Sequence, residues 1–147
     1  MRANGMTQLR YIIVLAFLIG MPLVGNAQTA VIVNKTVPQE TMSEKDILDI
    51  YTLNRPRWDN GTRVTVFDLK REGKTKKAFY RHIEMDEDEL RRIWLRKQFS
   101  GKAMPPKIVD TEEDVVDRVA NTPGAIGYVS LNAARKNKDV KVVARIR

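Results

Sequence analysis

Hydrophobic and polar positions change period several times along this chain. Residues 30–33 form an unbroken apolar run closed by Asn34, the mark of a strand covered on both faces. After Pro38, Ser43 precedes a stretch in which Ile47, Ile50 and Tyr51 recur at helical spacing with Leu48 beside them. This predicts an amphipathic helix of about three turns, with Ser43 as its cap and Asp46 at the capping-box position. Asn54, Pro56, Asn60 and Gly61 end it. Residues 62–68 alternate: Val64, Val66 and Asp68 point one way, Arg63, Thr65 and Phe67 the other, as in a strand with both faces partly covered.

Beyond Gly73, residues 76–84 have helical composition, with Phe79, Tyr80 and Ile83 apolar. Residues 86–99 predict a longer helix, capped by Asp86 with Glu89 completing the box and Leu90, Ile93, Trp94 and Leu95 as the buried stripe. Ser100-Gly101 ends it and Pro105-Pro106 forbids a restart. Thr111 caps a fourth helix, with Glu112, Glu113 and Asp114 in the first turn, where acids are favoured, and Val115, Val116 and Val119 inside. A strand over 125–131, a basic connection over 132–139 and a last strand over 140–146 complete the order β-α-β-α-α-α-β-turn-β. Strands alternating with helices predict one α/β lobe, a mixed sheet with helices packed on it.

The start of the chain reads differently. Arg2 and Arg10 precede about fourteen mostly apolar residues, and Gly25-Asn26-Ala27 supplies small residues at a cleavage point. That run falls short of the ~20 residues of a membrane-spanning helix. Residues 1–27 are therefore expected to be a cleaved signal peptide, and 28–147 one exported domain, which the resemblance given below implies is periplasmic. The chain carries 26 Lys+Arg against 18 Asp+Glu, net +8, one His and no Cys. A Cys nucleophile, a disulfide scaffold and a Cys-based zinc finger are excluded. In an exported protein the basic balance points to small anions, lipid headgroups or acidic polymers rather than nucleic acid.

The densest chemistry lies at residues 68–77, where a strand runs through a Gly-containing turn into a helix while Lys70, Arg71, Lys74, Lys76 and Lys77 crowd one end. Cations there oppose the helix dipole, and an oxyanion seated on the exposed amides would reverse that penalty. The predicted ligand-binding residues are Arg71, Gly73, Lys74, Thr75 and Lys76. The string Gly73-Lys74-Thr75 is not a nucleotide loop, because that motif needs a glycine where Asp68 stands. His82 has no recognisable nucleophile or orienting carboxylate, so no catalytic residue is assigned. The acids from Glu84 to Glu89 are explained by a helix start and lack the ligand pattern of a calcium loop; no metal or cofactor is expected. Trp58 and Trp94 read as packing residues. Arg91, Arg92, Arg96 and Lys97 give the long helix a basic face, a solvated surface or a docking face.

Three strings resemble phosphate-type periplasmic substrate-binding proteins of ABC importers. Asp49-Ile50-Tyr51 with Arg57-Trp58-Asp59-Asn60-Gly61-Thr62 is similar to their "dIF-x-G … W-x-dG" segment. Phe99-Ser100-Gly101-Lys102 with Pro105-Pro106 resembles a motif of their short relatives. Thr122-Pro123-Gly124-Ala125-Ile126-Gly127-Tyr128-Val129 is similar to "n-P-G-A-I-G-Y-v". The resemblance implies a single periplasmic-binding-protein type II-like lobe. By position, Thr75 takes the Thr of the family's Ser-Gly-Thr anion clamp, Lys74 the Gly, Gly73 the Ser, and Arg71 is the nearest Arg. It implies a non-enzymatic solute-binding domain for phosphate or another oxyanion, working with an importer permease. The alternative is a ligand-free interaction module that engages a sensor or envelope protein through its basic face.

Overall fold

The computed structural model describes residues 27–147; the predicted leader, apart from Ala27, lies outside the described residues. Five strands and five helices follow one another: β1 (Thr29–Asn34), α1 (Glu44–Tyr51), β2 (Thr65–Leu69), α2 (Lys74–His82), α3 (Glu87–Phe99), β3 (Lys107–Val109), α4 (Glu112–Asn121), β4 (Ala125–Ser130), α5 (Leu131–Ala134) and β5 (Val140–Ile146). The strands form one mixed sheet in the order β3-β2-β4-β1-β5. β2 runs parallel to β3 and β4, whereas β1 runs antiparallel to β4 and β5. The apolar run at residues 30–33 lies second from the edge with all six residues of its strand buried.

Chain direction explains the layers. The connection from β2 through α2 and α3 steps outward to β3, and the connection through α4 steps back across β2 to β4. Crossovers of one hand then put their helices on opposite faces. Neighbouring residues of β4 show it. Tyr128 stacks on Phe79 of α2 at 4.0 Å, and Phe79 meets Tyr51 of α1 at 4.6 Å. Gly127 faces α4, where a Cβ would lie 2.5 Å from Val115 Cγ1 and 3.3 Å from Val119 Cγ2. Glycine is what lets α4 sit this close to the sheet.

Several local expectations hold in detail. Ser43 and Asp46 form the capping box of α1, and Thr111 accepts from the Asp114 amide to cap α4. Both tryptophans are packing residues with satisfied indoles: Trp58 Nε1 donates to Gly124 O at 2.8 Å and Trp94 Nε1 to Tyr51 O at 2.6 Å. Asn34, the polar end of the first run, donates to the carbonyls of Val119 and Ala120, closing the end of α4 whose last carbonyls have no helical partner.

Other expectations are corrected. The strand β3 was not foreseen. Pro105-Pro106 does stop the helix, but Ile108 and Val109 then pair with Asp68 and Leu69. Three residues carry no readable period, so the pairing decides. Asp86 caps α3 by accepting from the Asp88 amide, not through a box with Glu89. Leu95 is not in the stripe: it is 45% exposed, and Ile93 is only half-buried. α3 lies at the edge of the lobe, so only Leu90 and Trp94 turn inward.

Candidate functional site

β2 carries the chain to Leu69, and α2 starts five residues later. Gly73, the N-cap of α2, is extended (φ −175, ψ 178) and offers no side-chain cap, and the first turn holds no acid. The other four helices each have a capping side chain: Ser43, Asp86, Thr111 and Ser130. The amides of Lys74, Thr75 and Lys76 are first-turn donors without an intrahelical acceptor, and among the described residues they donate to nothing else. Gly73 and Lys74 are exposed, and a Cβ on Gly73 would meet nothing within 4 Å.

The structure separates the five predicted site residues. Arg71, Gly73 and Lys74 face solvent, and Arg71 and Lys74 form no ion pair among the described residues. Their neighbours Lys70 and Lys77 lie 3.7 Å from Asp110 and 3.6 Å from Glu72. Thr75 donates its hydroxyl to Glu112 Oε1 at 2.5 Å, and Glu112 Oε2 accepts from the Ser130 amide at 2.8 Å. A carboxylate of the chain itself thus bridges the start of α2 and the end of β4. Glu112 was legible only as a first-turn acid of α4; its reach to Thr75 depends on two parallel strand ends lying side by side.

Lys76 contributes its amide to the helix start, but its side chain turns inward and the residue is 4% exposed. The ammonium lies 2.8 Å from Glu87 Oε1, 3.9 Å from Asp68 Oδ2 and 5.4 Å from the centre of the Tyr80 ring. Asp68, also buried, accepts from Tyr128 Oη at 2.6 Å and from Tyr80 Oη at 3.0 Å. Burial raises the Asp68 carboxyl above its ordinary value, against the pull of the Tyr128 hydrogen bond and the Lys76 charge. The Lys76 hydrogen bond holds the Glu87 carboxyl below its ordinary value.

These opposite shifts have a testable sign. A depressed carboxyl stabilises the fold fully above its unfolded value, and that contribution is lost as pH falls through the folded value. A raised one, Asp68, gains its proton earlier in the folded chain and works in the other direction. The stability gap between wild type and Glu87→Gln is expected to be constant above about pH 5 and to close below about pH 4. Urea midpoints against pH measure it. A gap that stays constant down to pH 3 would show that the Lys76–Glu87 pair is not linked to folding.

Two hollows, of about 380 and 410 Å³, flank Pro105 and Pro106 and are lined by residues other than Gly73, Lys74 and Thr75. With Gly73 and Lys74 exposed, the start of α2 is an open surface, and of its first-turn residues Lys76 lines the first hollow. What it can do chemically is offer three amides and two cations, unpaired among the described residues, to an oxyanion that stays hydrated on its outer side, while Glu112 already accepts from the Thr75 hydroxyl.

No protein-family model and no curated protein sequence matches the chain. Solved structures do. A putative phosphate ABC transporter substrate-binding protein from Clostridium perfringens, solved with bound phosphate, is similar over 80% of this chain and 45% of its own, at 22% identity and TM-score 0.64. An ABC-type phosphate transport receptor from Vibrio cholerae is similar over 82% and 50%, at 16% identity and TM-score 0.61. PstS from Borrelia burgdorferi is similar over 80% and 47%, at 14% identity and TM-score 0.59. The chain spans about half the length of each. The fold expected from the three sequence strings is thus the fold observed: this chain has the architecture of about half of a phosphate-type substrate-binding protein.

Proposed function

We propose that this chain is an exported, non-enzymatic solute-binding domain that takes phosphate or a similar oxyanion at the start of α2. The observation that carries this reading is the uncapped first turn at Gly73, with amides unused among the described residues beside Arg71 and Lys74, which form no ion pair among them. The similar fold of a protein solved with bound phosphate supports it. Residues 1–27 then act as a signal peptide, residues 28–147 as the working domain in the periplasm, and an ABC importer permease is the proposed partner. The amides of Lys74, Thr75 and Lys76 donate to the anion, while Arg71 and Lys74 supply screened charge.

Binding at such a site is weak by construction. Water reaches the outer side of the anion, and Glu112 holds the Thr75 hydroxyl with a charge of the same sign as the ligand. A Kd of about 1 mM for phosphate, roughly −4 kcal/mol, is expected. Removing the competing charge with Glu112→Gln is expected to tighten binding by about 3–10-fold, roughly 0.7–1.4 kcal/mol in a high-dielectric site. Amide NMR titration with phosphate reads both, through shifts confined to residues 73–76. If neither protein shows saturable shifts there, anion capture is wrong.

One observation favours the second reading. Glu112 already supplies a carboxylate to Thr75 and to the Ser130 amide, so the chain satisfies part of the site itself. A lobe filled in this way has no need of a solute and would act as an interaction module on a sensor or envelope protein.

A further inference from the structure

The large hydrophobic side chains left exposed among the described residues are not scattered. Leu95 (45%), Phe99 (86%), Met104 (71%) and Ile108 (52%) all belong to the second half of α3, the segment that follows it and the edge strand β3. The two hollows lie in this same region and adjoin across Gln98, Pro105 and Pro106, which line both and divide the furrow into two parts. Its two ends differ in chemistry. One exposes mainly apolar surface, from Leu69, Trp94, Leu95, Pro105, Pro106 and Ile108, although the Asp68–Lys76–Glu87 group with Lys70 and Arg91 also lines it. The other sets Arg55, Arg63, Lys102 and Lys107 around apolar surface that includes Leu53, Val64 and Met104, and no carboxylate lines it. Arg55 is held by Asp59 and Asp46, but Arg63, Lys102 and Lys107 form no ion pair among the described residues.

A hollow of mainly apolar surface beside one with uncompensated cations on its rim selects its occupant by charge. A second copy of this chain would bring cations against cations. A bilayer would cover protruding side chains but would not fill concave hollows. A polypeptide segment can do both things at once, seating a bulky apolar side chain in one hollow and setting carboxylates over the cations of the other. We propose that the furrow between α3 and β3 is a docking site for an acidic polypeptide segment with an apolar anchor residue. This site meets the start of α2 only at Lys76, whose amide belongs to the helix start while the residue lines the first hollow, and it does not depend on anion binding there.

Fluorescence anisotropy with three labelled, end-capped peptides tests it: one alternating glutamate and leucine, one alternating glutamate and serine, one alternating lysine and leucine. The glutamate–leucine peptide is expected to bind at least about tenfold more tightly than either control, because apolar anchoring and opposite charge are both required. Lys102→Glu with Lys107→Glu is expected to weaken it by about tenfold or more, and Ile108→Ser by about threefold or more. Arg118→Glu, on α4 at the opposite face, is expected to leave it unchanged. All these positions are exposed, and thermal melts confirm that each variant is folded. Equal binding of the glutamate–serine peptide, or equal loss with Arg118→Glu, would reduce the site to general charge attraction and overturn the proposal. So would binding to phosphatidylglycerol vesicles that is lost in Lys102→Glu/Lys107→Glu while the peptide fails to bind.

Discussion

Lys76→Met is expected to cost about 3 kcal/mol of folding free energy, the lower end of the range for breaking a buried ion pair by removing one partner. Among the described residues, the ammonium is the cation placed between Asp68 and Glu87 inside the lobe. Without it, Asp68 keeps two phenol donors and Glu87 keeps Arg91 at 3.0 Å. That residual support is why the low end applies. The Asp68 charge then has no positive neighbour in a site where burial already disfavours it. Adding Asp68→Asn removes that charge, so the double variant is expected to recover about 1 kcal/mol or more relative to additivity. Urea unfolding of the four proteins in the cycle measures this. A loss under about 1 kcal/mol for Lys76→Met would mean that the phenols alone hold Asp68, and that the lysine is only filler.

Gly124→Ala is expected to be comparably severe, about 2–5 kcal/mol, from left-handed strain and overpacking together. Gly124 has φ +72, and a Cβ there would stand 2.2 Å from the Arg63 carbonyl oxygen and 2.8 Å from Thr62 Cγ2. The backbone cannot retreat without loss. The Gly124 carbonyl accepts from Trp58 Nε1 and from the Thr65 amide, and its own amide donates to Thr36 Oγ1. One methyl group therefore presses on the joint where β2, β4 and the Trp58 loop meet. Gly61 supplies the comparison: its φ is +82, but nothing lies within 4 Å of a Cβ. Gly61→Ala should show the conformational cost alone, about 1–2 kcal/mol. Thermal melts separate the two, and the near-UV circular dichroism of Trp58 should change only for Gly124→Ala. Equal losses at both glycines would discount the clash with Arg63.

The same residues show how far the candidate site could be read in advance. The turn into α2 was legible because Gly73 and its cations sit together in the sequence, and their chemistry does not depend on distant partners. Arg71, Gly73 and Lys74 do face solvent at a helix start. Lys76 belonged to the same string, but helical geometry rotates it to the inner face, where Glu87 from the next helix meets it. Glu112 lies 37 residues from Thr75, and no local pattern connects them. The furrow was equally invisible, because Leu95 fits a buried stripe by spacing, and only the edge position of α3 exposes it.

By itself, the sequence determined the elements with strong period or clear caps: the buried run of β1, the Ser43 box, the Thr111 cap and the glycine-marked approach of β4. These are short-range matters, set by side-chain spacing, backbone donors and the absence of a Cβ. The particular fold was expected from the resemblance of the string around Gly124 and Gly127 to phosphate-type substrate-binding proteins, and not from those local preferences. The tertiary structure alone decided the pairing of β3, the inward turn of Lys76, the reach of Glu112 and the exposure of the α3 edge. Each of those depends on which strand ends and helix faces are brought side by side, and such neighbours are chosen by chain crossing and packing rather than by any residue's local preference.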